Sequence, residues 1–335
     1  MNPGVELVVE TPEGLACPAG GFVVDPLLPV PLAVLTHAHG DHARPGSAVY
    51  LCTTGCAPLV RRRLGADARI ETMDYGEKRK VGEVLVSFHP AGHMLGSAQV
   101  RLESAAGEVW VVSGDYKREA DPTCAPFEPV RCDTFITEAT YALPLFRWDD
   151  PAGVAREIFE WWSAGADRAS LLFCYAFGKA QRILAELAAL TDRPVYVHGM
   201  MEPVVQVYRA AGVRMLPTRL VAETQKGRSF HGELVLAPVT ARGSPWMKRF
   251  GDFEAGFTSG LLRVRGTRRR RGFDRGFVLS DHADWPGLLR SIRESGASRV
   301  LATHGHREPL VRYLRESGLD ARALGPLHET DPEGD

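Results

Sequence analysis

The segment His37-Ala38-His39-Gly40-Asp41-His42 sets four side chains able to ligate a metal in six positions, directly after the apolar run Pro31-Leu32-Ala33-Val34-Leu35. Side chains alternate with period two in extended backbone, so His37 and His39 point the same way and can grip one ion. Asp41 and His42 fall where the chain is expected to turn into a helix, aimed at a second point beside the first. One segment then feeds two metals. Imidazole nitrogen and carboxylate oxygen, with no thiolate in the set, make zinc the default and leave manganese or iron open. The chemistry implied is that of a metal-dependent hydrolase. A His standing alone is ordinarily a packing residue, but so dense a group of ligand types is not ordinary packing.

Further candidates stand at the ends of β-branched or aromatic runs closed by Gly, Pro or Asp, the pattern of strands that present side chains at a shared edge. Val84-Leu85-Val86-Ser87-Phe88 leads to Pro90-Ala91-Gly92-His93, and Val109-Trp110-Val111-Val112 leads to Ser113-Gly114-Asp115. Phe277-Val278-Leu279 runs into Ser280-Asp281-His282, and Val300-Leu301-Ala302 into Thr303-His304-Gly305-His306. Helical apolar spacing covers 154–162, 180–190 and 203–211, with short strands expected at 170–175, 195–198 and 234–239. This places a separate α/β layer in the middle of the chain.

At 335 residues the chain exceeds what one hydrophobic core usually serves, so two domains or one domain with a large insertion are expected. No run of about 18 apolar residues exists. The start Met1-Asn2-Pro3-Gly4-Val5-Glu6 has neither a basic nor an apolar leader region, so no membrane partner and a cytoplasmic location are expected. Six scattered Cys without a Cys-x-x-Cys pair indicate reduced packing residues, not a disulfide framework or zinc ribbon. The tail 330–335 is expected to be disordered. Net charge is -1, yet arginines cluster at 61–63 and between Arg263 and Arg275. Guanidinium groups fit phosphate bidentately, so the second cluster reads either as a nucleic-acid backbone track or as a solvated face.

Taken in order, His37-x-His39-x-Asp41-His42, His93 and Asp115 resemble the successive metal-binding motifs of the metallo-β-lactamase fold, and Asp25 resembles the family's first motif, an acid that orients ligand His side chains. Thr137-Glu138-Ala139-Thr140-Tyr141, Ser280-Asp281-His282-Ala283-Asp284 and His304-Gly305 resemble the three additional motifs of the β-CASP nucleases, a family that includes the Artemis and Apollo DNA nucleases, ribonuclease J and the pre-mRNA cleavage factor. Tyr175-Ala176-Phe177-Gly178-Lys179-Ala180-Gln181-Arg182 resembles the opening of that family's inserted cap. Within the family the chain looks most like the bacterial ligase-associated DNA exonucleases. One departure is His306, where the family often has Glu.

The resemblance implies an α/β chain: an αββα metallo-β-lactamase sandwich built from 1–147 and 273–335, with an α/β β-CASP cap inserted at 148–272. It implies that His37, His39 and His93 hold one divalent ion, Asp41, His42 and His304 a second, and that Asp115 bridges them. Two ions about 3.5–4 Å apart would clamp a phosphodiester and make hydroxide available near neutral pH. His282 is then the general acid for the departing alkoxide, oriented by Glu138, with Lys179 and Ser280 on the substrate phosphates and Lys179 favoured by its place at a helix start. The function implied is a DNA exonuclease of repair, with a lean toward 5′ to 3′ polarity and a DNA ligase or helicase as partner. An RNA-processing nuclease with the same catalytic residues is the alternative, and a non-catalytic scaffold subunit stands further off.

Overall fold

The computed structural model describes residues 6–325. The expected disorder of 330–335 and the leader reading of the first five residues lie outside that range. In chain order the first elements are β1 (Val9–Thr11), β2 (Gly14–Cys17), β3 (Phe22–Val24), β4 (Leu32–Val34), β5 (Val49–Thr53), α1 (Ala57–Leu64), β6 (Ile70–Met73), β7 (Lys78–Val81), β8 (Val84–Pro90), β9 (Ala98–Glu103), β10 (Val109–Val112) and β11 (Thr134–Glu138). The middle holds α2 (Pro151–Ala164), β12 (Ala169–Phe173), α3 (Lys179–Leu187), β13 (Val195–Val197), α4 (Glu202–Ala210), β14 (Thr218–Leu220), β15 (Leu234–Ala237), β16 (Phe253–Thr258), α5 (Thr267–Arg270) and β17 (Arg275–Phe277). Then come α6 (Trp285–Ser295), β18 (Arg299–Thr303), α7 (Arg307–Glu316) and β19 (Asp320–Ala323). The fold is α/β and divides into two compact units.

The first unit takes the chain through Glu119, Cys124–Pro144 and the part from His282 onward. It holds two mixed sheets, ordered β1-β2-β3-β4-β5-β6 and β19-β18-β11-β10-β9-β8-β7. One apolar cluster draws on both: Phe22, Val24, Val34 and Leu51 from the first sheet meet Val86, Phe88, Val100, Trp110 and Leu301 from the second. Burying a side chain of this size contributes about 1.5–3 kcal/mol, and the cluster locks the sheets together. The other face of the second sheet, with Val111, Phe135 and Val300, packs on Leu288 and Ile292 of α6 and Leu310, Val311 and Leu314 of α7. α6 starts where the Asp284 side chain accepts from Gly287 N at 2.8 Å and stops at left-handed Gly296.

Strand direction decides what these sheets can build. β3, β4 and β5 run parallel, as do β10, β11, β18 and β19. Val24 pairs with Val34, and Glu138 with Thr303, so carboxyl ends gather at one edge of each sheet. Asp25, the His37 segment, Asp115, Glu138 and His304 all lie at those ends.

The second unit comprises Leu145–Asp281 with the short segment Ala120–Thr123. Its single sheet, β14-β13-β15-β12-β16-β17, is parallel throughout. Apolar clusters cover both faces, one built with α2, α3 and α4 and one with Phe230, Phe250 and Phe273, the arrangement a parallel sheet requires. The boundary expected at 272 falls inside this unit. Residues 273–281 belong to it because β17 pairs with β16, Thr258 against Phe277, and Leu279 joins the helix-side cluster. The same pairing places the strand before His282 in this sheet and not in the sheets of the first unit.

Candidate metal centre

The His37–His42 segment leaves β4 as an irregular loop. His42 N and Ala43 N both donate to His39 O, at 3.2 and 2.8 Å, so Asp41 and His42 sit in a tight turn. The helix expected there is absent: the connection from β4 to its parallel neighbour β5 stays in turns and bends, and the first helix, α1, comes only after β5. His37, His39, His42, His93 and Asp115 are all buried.

One oxygen organises the centre. Asp115 Oδ2 lies 3.5 Å from His37 Nε2, 3.4 Å from His42 Nε2, 3.9 Å from His93 Nε2 and 4.0 Å from His282 Nδ1. His93 Nε2 is 3.1 Å from His39 Nδ1. His37, His39, His93 and Asp115 each bring a donor atom within 4.8 Å of the others. Asp41 Oδ2 is 3.6 Å from His42 Nε2, and the His304 ring stacks on that of His42 with centroids 5.3 Å apart. A further compact set is Asp115, Glu138 and His282, in which His282 Nδ1 is 2.9 Å from Glu138 Oε2.

The surrounding hydrogen bonds aim these rings. Asp25 Oδ1 accepts from Thr36 N at 2.8 Å, and its Oδ2 accepts from Thr36 Oγ1 at 2.6 Å and faces His42 Nδ1 at 2.8 Å. A carboxylate only accepts, so His42 carries its proton on Nδ1 and turns Nε2 inward. The Thr36 hydroxyl, having donated to Asp25, faces His37 Nδ1 at 3.0 Å and sets the same orientation there. Ser97 Oγ accepts from His93 N and Met94 N at 3.1 Å each. Tyr116 N donates to Glu138 Oε1 at 2.7 Å.

Backbone strain collects at the same place. Among the described residues, Asp25 (φ 45°) and His304 (φ 57°) are the two non-glycine residues with positive φ. Gly114, at φ 55°, admits Asp115 to the centre, since a Cβ there would lie 2.5 Å from Thr36 Cβ. Gly305 is equally constrained: a Cβ would stand 2.4 Å from Thr140 Cα.

His37 Nε2 and His42 Nε2 are buried and have no hydrogen-bond partner. Two buried ring nitrogens without hydrogen-bond partners beside a carboxylate are a donor arrangement that a cation would satisfy. The charge balance agrees. Burial alone would lower the His42 pKa, but Asp115, Asp41 and Asp25 hold it well above the ordinary range. Burial would raise the Asp115 carboxyl, yet His42 and His282 hold it well below its usual value. Burial, then the His42 charge, pushes His37 and His304 down. A divalent cation fits this donor set, because it would take over the positive charge that His42 otherwise has to carry.

Lys179 and Ser280 lie in the second unit and are both buried. Lys179 Nζ is 3.9 Å from Asp281 Oδ2, so this lysine at the start of α3 is a buried, ion-paired one. Its neighbour Arg182 is fully buried, donating to Ser280 O at 2.7 Å and Asp281 Oδ1 at 3.0 Å, with Asp121 at 3.6 Å from its Nε. Sequence reasoning missed Arg182, Thr36, Ser97 and Tyr116. Thr36 had a signal, a hydroxyl directly before the first His, and Ser97 lies within four residues of the amides it accepts from; Arg182 and Tyr116 had none, because their partners lie far along the chain. His89 pairs with Glu128 at 3.0 Å, His198 packs on Trp246, and His306 N donates to Ala139 O at 2.7 Å ahead of α7.

No known family profile matches the chain. It is 30% identical over 320 residues to a protein named "Probable DNA ligase" from Opitutus terrae, an alignment covering 95% of this chain and 31% of that protein. It is 29% identical over 150 residues to the "RNase J-like protein" of Methanocaldococcus jannaschii, with 42% of this chain and 35% of the relative covered. To "Endoribonuclease YSH1" of Gibberella zeae it is 28% identical over 149 residues, 43% of this chain and 18% of the relative. The chain thus spans about a third or less of the length of these relatives. A crystal structure of a protein of unknown function from Enterococcus faecalis V583 shares the fold, with a TM-score of 0.56 and 12% identity over 90% of this chain and 80% of that one. The ordered motifs, the imidazole and carboxylate centre they converge on, and the nucleases among these relatives agree in supporting the β-CASP nuclease family for this chain.

Proposed function

We propose that the chain is a two-metal phosphodiesterase acting as a DNA exonuclease in repair. In this reading the first unit is an αββα metallo-β-lactamase sandwich and the second its inserted β-CASP cap. His37, His39 and His93 hold one divalent ion, Asp41, His42 and His304 the other, and Asp115 is shared. The observation that carries the reading is Asp115 Oδ2, within 4.0 Å of four ring nitrogens, two of which have no hydrogen-bond partner. Bound divalent ions supply an activated water near neutral pH and neutralise charge on phosphate oxygens.

The chain's own groups do the rest. His282 donates its Nδ1 proton to Glu138 Oε2, which fixes the ring and leaves Nε2 to deliver a proton to the departing alkoxide. Glu138 cannot swing away, because Tyr116 N holds its other oxygen. Asp25 and Thr36 keep His42 and His37 in their inward tautomers. Zinc is the default ion for such a set, with manganese next.

Likeness to the "Probable DNA ligase" along 95% of the chain favours DNA and a ligation partner in repair, and resemblance to the Apollo-type nucleases favours the 5′ end. The shorter matches to endoribonucleases favour RNA processing as the second reading. Metal add-back to chelated protein, on single- and double-stranded DNA and RNA labelled at either end, with and without a 5′ phosphate, tests both. Mononucleotide release from DNA supports the proposal; cleavage of RNA alone replaces it with the second reading. Less than one equivalent of bound metal after purification without chelators would restore the scaffold reading.

A further inference from the structure

The stretch from Gly260 to Arg275 holds seven arginines and a single carboxylate, Asp274, in a protein whose net charge is -1. The fold sorts these arginines into two groups. Arg263 pairs with Asp149 at 2.8 Å and also donates to the carbonyl of Arg147. Arg268 donates to the carbonyls of Phe273 and Asp274, at 2.9 and 2.5 Å. Beneath them the rings of Phe257 and Phe273 stack, 4.7 Å apart and 11° from parallel, with Arg271 Cζ 5.5 Å from the first ring and Arg242 Cζ 4.3 Å from the second. Arg242 ties the loop down further by donating to the carbonyls of Arg271, at 2.7 Å, and Gly272. These side chains build the loop.

The second group has no such work. Arg265 and Arg269 are exposed and make no ion pair. Arg270 is exposed and reaches only the Thr267 hydroxyl, at 3.0 Å, while exposed Arg275 leans toward the Phe277 ring at 5.8 Å. An ordinary solvated face intersperses both signs of charge. Here like charges are concentrated on a backbone held by aromatic packing and carbonyl bonds, an arrangement whose mutual repulsion is relieved by a polyanion.

We propose that Arg265, Arg269, Arg270 and Arg275 form a phosphate-binding face of the second unit that holds nucleic-acid backbone during turnover. The identity of the polyanion rests on the nuclease reading; the binding does not need the metal centre. Guanidinium forks suit phosphate oxygens and carry no base preference, so the face contributes affinity without sequence specificity.

The test is binding of fluorescein-labelled 20-mer DNA to the full chain in EDTA, across a salt series. Each lost phosphate contact lowers the slope of log K against log salt by about 0.7–0.9, so R265Q/R269Q/R270Q/R275Q should lower it by about 3 and weaken binding at least about tenfold at low salt. R269Q alone, which disturbs no bond, should lower it by about one contact's worth. A control with the same charge loss elsewhere, R69Q/R290Q/R312Q/R322Q, should leave the slope unchanged. An unchanged slope in the four-fold variant, or an equal fall in the control, overturns the proposal. Metal-dependent hydrolysis of bis(p-nitrophenyl) phosphate by the wild-type chain, read in parallel, reports separately on the metal centre. Its absence from the wild-type chain would count against the nuclease reading and leave the binding result to stand.

Discussion

The carboxylate of Glu138 meets the imidazole of His282 with Oε2 2.9 Å from Nδ1, while its other oxygen accepts from Tyr116 N at 2.7 Å. A ring held this way has Nδ1 fixed on the carboxylate and its orientation set, as a proton donor requires. We expect His282→Ala to keep its bound metal and lose about 10²–10⁴-fold in turnover. Metal analysis beside the rate decides the role: loss of an equivalent would recast His282 as a ligand in the set it forms with Asp115 and Glu138.

Asp41 reaches the centre from a tight turn, 3.6 Å from His42 Nε2. Asp41→Ala should abolish nucleic-acid degradation. Wild-type activity in that variant would sink the two-metal assignment.

Asp25 touches the centre only through His42 and Thr36. Asp25→Asn keeps the shape and removes an acceptor from the His42 proton. Metal affinity, measured by competition with a chromogenic chelator, should fall about 10–100-fold with little change in the melting temperature of the metal-loaded protein. Unaltered affinity would separate Asp25 from ligand orientation.

Arg182 is buried among Asp121, Asp281 and the Ser280 carbonyl. Removing one partner strands the others, so Arg182→Met should cost about 3–5 kcal/mol in urea unfolding. Adding Asp281→Asn should recover part of that loss, and a strictly additive pair would show that the two residues are not coupled.

Burial pushes the Cys52 and Cys132 thiols up to about 12. An unfolded thiol ionises near 9.0, so unfolding releases protons above that pH, and these residues remove stability as pH rises between about 9 and about 12. Iodoacetamide at pH 8 followed by peptide mass mapping should label half-exposed Cys124 and spare the five buried cysteines. Labelling of Cys52 as fast as Cys124 would mean that the first unit opens readily.

The ligand types were legible because the chemistry is local: four donors in six residues need no knowledge of the fold. The strands β8, β10 and β18 were legible from β-branched or aromatic runs closed by turn residues. What escaped was set by distant partners. β17 reads as a strand, but only its pairing with β16 assigns it to the second unit. The turn at Asp41 and His42 looked like a helix start because ligand spacing says nothing about the next crossover. Arg182 carries no mark in the sequence of the carboxylates that surround it from positions 121 and 281.

The carboxyl ends that assemble the centre belong to β3 and β4 near the start of the chain and to β18 near residue 300. A ribosome therefore exposes the His37 segment long before its last neighbour exists. Until β18 is synthesised and inserted beside β11, the early histidines and Asp115 form an open, hydrated group with no fixed geometry. The centre can mature only once β18 has been synthesised, so chains terminated before it would carry the most recognisable motif without its last neighbour.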